Sequence, residues 1–377
     1  MFRCQSLSVG FLLILSFIAL FGVVLMHLRS VLFSLFFLSL SAAGSGAVPD
    51  QIGCDACLSE SCQKSCRYWH PLAQDGDIGA QFLMGITYLS DQSYEQAVTW
   101  YRKAAEQGHA GAQYELGFMY LNGQGVKQND EQAAAWFRKA AEQGVADAQY
   151  RLGLMYGSGI SVKQSYVQAA AWFRKAAEQG HADAQVGLAL MYEVGQGVKQ
   201  SGEQAAVWFR KAAEQGHANS QYLLGGMYEV GQGFKQSDEQ AAAWFRKAAE
   251  QGVADAQFRL GLMYERGRGV KQSDEQAVAW YRKAAEQGLA DAQFRLGLMY
   301  GSGQGVKQSD EQAVAWYRKA AEEGHANAQH LLGLMYFEGI GVEKSIEQSF
   351  YWSRKAANQG HEDAQKYLKN LEKLLST

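Results

Sequence analysis

Val253-Ala-Asp-Ala-Gln-Phe-Arg-Leu-Gly-Leu-Met-Tyr264, a glycine-rich loop, and then Ser273-Asp-Glu-Gln-Ala-Val-Ala-Trp-Tyr-Arg-Lys-Ala-Ala-Glu-Gln-Gly288 form one unit of a pattern that fills most of this chain. Its tryptophans mark the period: Trp100, Trp136, Trp172, Trp208, Trp244, Trp280, Trp316 and Trp352 are each 36 residues apart. Glycines keep the same step from Gly108 and Gly144 to Gly324 and Gly360. A fixed period of this length is the mark of a stacked repeat architecture.

Local chemistry makes each unit two helices. Ser273 and Gln276 have the spacing of a capping box at the start of the second helix. The same box is expected at Ser93/Gln96, Ser165/Gln168, Ser201/Gln204, Ser237/Gln240, Ser309/Gln312 and Ser345/Gln348, with Asn129 before Gln132 as a variant. Gly288 stops the helix. Ala277, Trp280, Tyr281, Ala284 and Ala285 share one face. In the first helix Ala256, Leu260 and Gly261 permit close approach of a partner. One such pair cannot bury its apolar face alone, so neighbours must stack into an all-α solenoid.

The ends differ as caps should. Tyr68 to Gly76 repeats the spacing of Trp100 to Gly108, so a lone second-type helix leads in. Ala364-Gln365 begins a lone first-type helix, with Lys366, Lys369 and Lys373 giving it a soluble side. The expected organisation is a signal or transmembrane segment at 1–47, a cysteine-rich cap at 48–76, eight repeats over 77–360 and a capping helix at 361–377. The first unit, 77–108, lacks four loop residues that later units have.

Ala-x₃-Leu-Gly-x₂-Tyr, the Gly-x-Gly-Val loop and Ala-x₂-Trp-x₃-Ala-Ala-x₂-Gly resemble Sel1-like repeats, relatives of the tetratricopeptide repeat, over about residues 68–370. The resemblance implies a right-handed superhelix of helix pairs and a role as adaptor or scaffold. Bacterial envelope members are associated with signalling, envelope complexes and host contact. A cysteine-rich branch is linked to β-lactam binding and hydrolysis. It places cysteines within its repeats, whereas units two to eight here have none.

A net charge of -3 gives no basic stripe for nucleic acid. Val9 to Leu28 is apolar and long enough to span a bilayer. It fits an uncleaved span, which would be the chain's only membrane contact. Alternatively, translation starts at Met26, Val31–Leu40 is the core of a signal peptide, and Ser45-Gly46-Ala47 is its cleavage site. The second assignment uses every segment in order. Either one exports the repeats, to the periplasm, the cell surface or the medium, or holds them on the inner membrane facing the periplasm. Cys54, Cys57, Cys62 and Cys66 then read as two disulfides in an oxidising compartment. Three pairings are open, the nested one among them, and four thiolates on zinc are the rival.

Other motifs carry less chemistry. His109, His181, His217, His325 and His361 each follow a stop glycine. Equivalent atoms in neighbouring repeats sit about 10 Å apart, beyond a shared zinc's bonds of about 2 Å, and Val145, Val253 and Leu289 replace them elsewhere. Ser61-Cys-Gln-Lys64 is a Ser-x-x-Lys without the partner motifs a penicillin-recognising site needs. The Gly-x-Gly loops lack the strand and Gly-Lys-Ser/Thr of a phosphate loop. The Trp ladder reads as inter-helix core, and Arg-Lys pairs such as Arg138-Lys139 as a solvated outer face. Nothing here calls for a metal or cofactor.

Recognition should lie where the copies differ. On the first helix one variable series is Glu115, Arg151, Gly187, Leu223, Arg259, Arg295 and Leu331. Beside it runs Tyr114, Tyr150, Val186, Tyr222, Phe258, Phe294 and His330. Steps of four and seven place further variable positions on the same face. First helices line the concave groove in superhelices of this type. Aromatic and Arg side chains are common anchors, so Tyr114, Tyr150, Arg151, Tyr222, Phe258, Arg259, Phe294 and Arg295 are the candidate surface for a protein or peptide partner. The expected function is an exported adaptor. A β-lactam hydrolase and a structural spacer are the alternatives.

Overall fold

A computed structural model describes Cys54 and residues 57–375. The apolar leader segments, the cleavage site and Cys4 lie outside the described residues. Among these residues the chain forms eighteen helices and no strand. A lone helix, α1 (Glu60–Gln74), comes first. Four helix pairs follow: α2 (Ile78–Ser90) with α3 (Tyr94–Glu106), α4 (Ala110–Asn122) with α5 (Asp130–Glu142), α6 (Ala146–Ser158) with α7 (Tyr166–Glu178), and α8 (Ala182–Val194) with α9 (Gly202–Glu214). Four more are α10 (Ala218–Val230) with α11 (Asp238–Glu250), α12 (Ala254–Arg266) with α13 (Asp274–Glu286), α14 (Ala290–Ser302) with α15 (Asp310–Glu322), and α16 (Ala326–Glu338) with α17 (Ile346–Asn358). α18 (Glu362–Leu375) closes the stack. Each helix packs on its predecessor and its successor.

The second helices stop as their glycines predict. Gly288 sits at φ +90°; its amide donates to Ala285 O at 3.1 Å, and the Leu289 amide to Ala284 O at 3.2 Å. These two bonds satisfy carbonyls that the helix end would otherwise orphan. The starts differ from expectation. Ser273 Oγ accepts from the Gln276 amide at 3.2 Å, but the Ser273 amide donates to Tyr264 O at 3.0 Å across the loop. Only the serine half of the capping box forms. Ser93 forms neither half. In that shortened loop it bonds instead with the Asp91 carboxylate.

Gly261 is the hinge of the packing. A Cβ there would lie 2.6 Å from the Tyr281 ring, so only glycine lets the second helix approach this closely. Around that contact Ala256, Leu260, Ala277 and Ala284 are fully buried. The loops are equally tight: a Cβ at Gly269 would meet Asp238 O at 2.0 Å.

Buried glutamines tie the stack together. Gln257 Nε2 donates to Ala249 O on the preceding helix at 3.1 Å. Its Oε1 accepts from Gln287 Nε2 on the following one at 2.8 Å. One side chain thus joins three helices, and its burial in low dielectric strengthens both bonds. The outer Arg-Lys pairs are more engaged than a solvated face suggests. Arg138 donates to Tyr156 Oη at 3.0 Å, and Lys139 lies 4.0 Å over the half-buried Trp136 ring.

The cysteine cap holds a disulfide between Cys57 and Cys62, the inner pair of the nested arrangement. Cys54 and Cys66 are disulfide-bonded as well. Asp91 binds this cap to the first repeat: its carboxylate accepts from the Leu58 amide and, at 2.8 Å, from the Ser59 amide. Cys57, Cys62 and Asp91 lie close enough to share an ion, but both sulfurs are spent in the disulfide and offer no thiolate.

Candidate functional site

First helices of successive repeats approach one another. α2 touches α4 and α6 touches α8 directly, and polar side chains link successive members. His181 Nε2 is 3.2 Å from Asp147, and His325 Nε2 is 3.3 Å from Asp291. Arg259 lies 3.8 Å from Glu229, and Arg295 3.5 Å from Glu265. The Arg151 guanidinium sits over the Phe118 ring at 5.7 Å.

The histidines earn their positions as helix caps. His109 Nδ1 accepts from the Ala112 amide at 3.0 Å, and the equivalent bond recurs at His181, His217, His325 and His361. Val145, Val253 and Leu289 hold the same backbone without a side-chain cap.

The predicted surface residues fall into two groups. The aromatic row is mostly internal. Tyr114 and Tyr150 are buried, and Tyr222, Phe258 and Phe294 are half-buried. Each leans on a second-helix ring 5.7–5.8 Å away, as Phe258 does on Tyr281. The Arg row is more open: the Arg259 side chain is 48% exposed and that of Arg295 33%, and Arg151 is half-buried. Glu115 is half-buried in the same row, and burial, reinforced by Asp147, pushes its carboxyl up to about 7.

One break in the repeat lies outside the predicted surface. Phe118, Leu154, Leu190, Leu262, Leu298 and Leu334 occupy a single half-buried row, and Gly226 interrupts it. A Cβ at Gly226 would meet no atom within 4 Å. A cavity of ≈ 450 Å³ lies beside it, and its lining includes Phe209, Tyr222, Phe245, Glu193, Glu229, Arg259 and Arg268. Arg268 stands where most loops carry glutamine. It bonds Asp238 at 2.7 Å and Glu229 at 3.3 Å, and the Asp238 bond holds its pKa up. The departure from the leucine row was the available sequence signal.

Ser61 and Lys64 of the Ser-x-x-Lys motif lie exposed at the start of α1, where Lys64 pairs with Glu60 at 2.8 Å one turn before it. Among the described residues no helix is long and apolar enough to cross a membrane.

A family model for the Sel1 repeat matches residues 78–109, 110–145, 146–181, 182–217, 218–253, 254–289, 290–325 and 326–361. Among solved structures, a protective antigen present in uropathogenic Escherichia coli strains is 40% identical, with a TM-score of 0.77 over 80% of this chain and 66% of that one. A Sel1 repeat protein from Oxalobacter formigenes is 34% identical, with a TM-score of 0.64 over 90% of this chain and 99% of that one. No curated protein matches significantly. The fold is therefore a stacked helical-repeat scaffold, of a class typical of protein–protein interaction. The chain belongs to the Sel1 repeat family.

Proposed function

We propose that this chain is an exported scaffold that holds a peptide or protein partner along its first-helix face. The carrying observation is where the copies differ. The buried Gln, Gly and Ala positions repeat almost verbatim, while the partly exposed Arg row and its neighbours change from unit to unit. A disulfide-bonded cap fits an oxidising compartment: the periplasm, the cell surface or the medium, or the periplasmic side of the inner membrane if residues 9–28 stay as an anchor. The Escherichia coli relative is described as a protective antigen, and an exported scaffold is compatible with that description.

The test replaces Arg151, Arg259 and Arg295 together with alanine. Tyr150 is left intact, because it packs on Phe173 and its loss would damage the core. Partners are captured from a cell-envelope fraction on the wild-type array and on the variant. Affinity should fall at least tenfold with an unchanged melting temperature; equal affinity would refute the groove.

A further inference from the structure

The cavity at Gly226 coincides with a missing cation. Glu193, Glu229 and Glu265 occupy the same position in three consecutive units. Thirty residues after the second and third come Arg259 and Arg295, which pair with Glu229 and Glu265 from the next first helix. Thirty residues after Glu193 comes Leu223. Glu193 therefore lacks the guanidinium its counterparts receive. Burial raises the pKa of its carboxyl, and a hydrogen bond from Gln232 only partly offsets that.

Two departures from the repeat thus fall at one place. Leu223 removes the internal cation, and Gly226 removes the side chain that would fill the space. The resulting cavity is within the range of about 300–1,000 Å³ of small-ligand sites. Its two arginines are already committed: Arg268 to Asp238 and Glu229, Arg259 to Glu229. Three carboxylates against two guanidiniums leave one negative charge, that of Glu193. The lining includes the half-buried Tyr222 ring beside the buried Phe209 and Phe245, and a cation held over an aromatic ring is attracted to it.

We propose that this slot takes an arginine side chain from an extended segment of the partner, whose guanidinium replaces the missing internal arginine at Glu193. The assignment rests on the first-helix face being the binding surface. Arginine is favoured over lysine because its planar guanidinium can stack on an aromatic ring while donating to a carboxylate. The helices of a stack lie about 8–10 Å apart and an extended chain advances about 3.3 Å per residue. About three partner residues therefore cross each repeat, and one of them in register enters the slot.

A random dodecapeptide display library, panned on the folded full chain, tests this. Selected peptides should share an arginine and lose affinity as salt rises. Their binding should fall at least tenfold in Leu223→Arg, which supplies the guanidinium from within, and in Gly226→Leu, which refills the row. Both substitutions restore what neighbouring units carry, so the fold is kept; Gly226→Met is the more flexible filler should Gly226→Leu misfold. Peptides without a basic residue, or binding that survives both substitutions, would overturn the slot. If such binding is still lost in the triple-alanine variant, the slot falls and the groove stands. Selection of no peptide overturns the slot and leaves the groove to the envelope capture.

Discussion

Glu323 occupies the position from which a glutamine should reach Gln293, and the Oε1 of Gln293 is left buried without a hydrogen-bond partner. In the other units the corresponding pair closes at 2.7–2.8 Å, from Gln107 with Gln81 to Gln359 with Gln329. An ionised carboxylate cannot donate, so the chain of buried bonds is broken between α14 and α15. A buried acceptor left unpaired costs about 1–3 kcal/mol. Glu323→Gln should therefore stabilise the array by about 1 kcal/mol, read as a higher urea midpoint. The gain should vanish in Gln293→Ala, where no acceptor remains.

Gly225 and Gly226 are neighbours with opposite demands. A Cβ at Gly225 would stand 2.7 Å from the Phe245 ring, whereas one at Gly226 meets nothing within 4 Å. Gly225→Ala should destabilise by about 1–3 kcal/mol through overpacking. Gly226→Ala should stabilise by about 0.5–1 kcal/mol, because alanine is the better helix former. Urea titrations of the two variants should move in opposite directions.

The architecture was legible because its determinants repeat. Gly261 and Gly288 can be read from the period and from what glycine alone permits. The partners of repeating polar residues could not be read that way. Gln257 and Gln287 look like surface glutamines until the stack brings them together across thirty residues. His109 is a helix cap only once the backbone turn aims Nδ1 at the Ala112 amide. The candidate site was legible in part. Arg259 and Arg295 stand on the open face, but Tyr114 and Tyr150 are buried, because the glycine-mediated approach of the second helix covers their side of the first. The slot at Gly226 lies in a row that otherwise reads as constant scaffold.

The histidine caps set an acid limit on stability. Each Nδ1 must be unprotonated to accept its helix amide. Burial holds the pKa of His109 and of His325 below the usual 6.5, though Asp291 partly opposes this at His325. The unfolded chain then binds more protons than the folded one as pH falls below about 6.5, so their contribution is present at neutral pH and lost below it. His109→Asn with His325→Asn keeps a capping oxygen that does not titrate. Between pH 7.5 and 5 the wild-type urea midpoint should fall more than that of the double variant. Equal slopes would show that these caps do not titrate in this range.

Glu115 works in the opposite sense. Its carboxyl titrates at about 7 in the folded array against an ordinary 4.5, with burial the main cause and Asp147 adding to it. The folded state therefore binds the extra proton between these values, and stability is lost as pH rises through that window. Glu115→Gln has nearly the same shape and no charge to bury. At pH 4 the two proteins should be about equally stable, whereas at pH 8 the variant should be the more stable by on the order of 1–3 kcal/mol. Because the histidine effect is the same in both proteins, the difference between their urea midpoints isolates Glu115. A difference that stays constant from pH 4 to 8 would show that Glu115 ionises normally and that its carboxyl reaches water in solution.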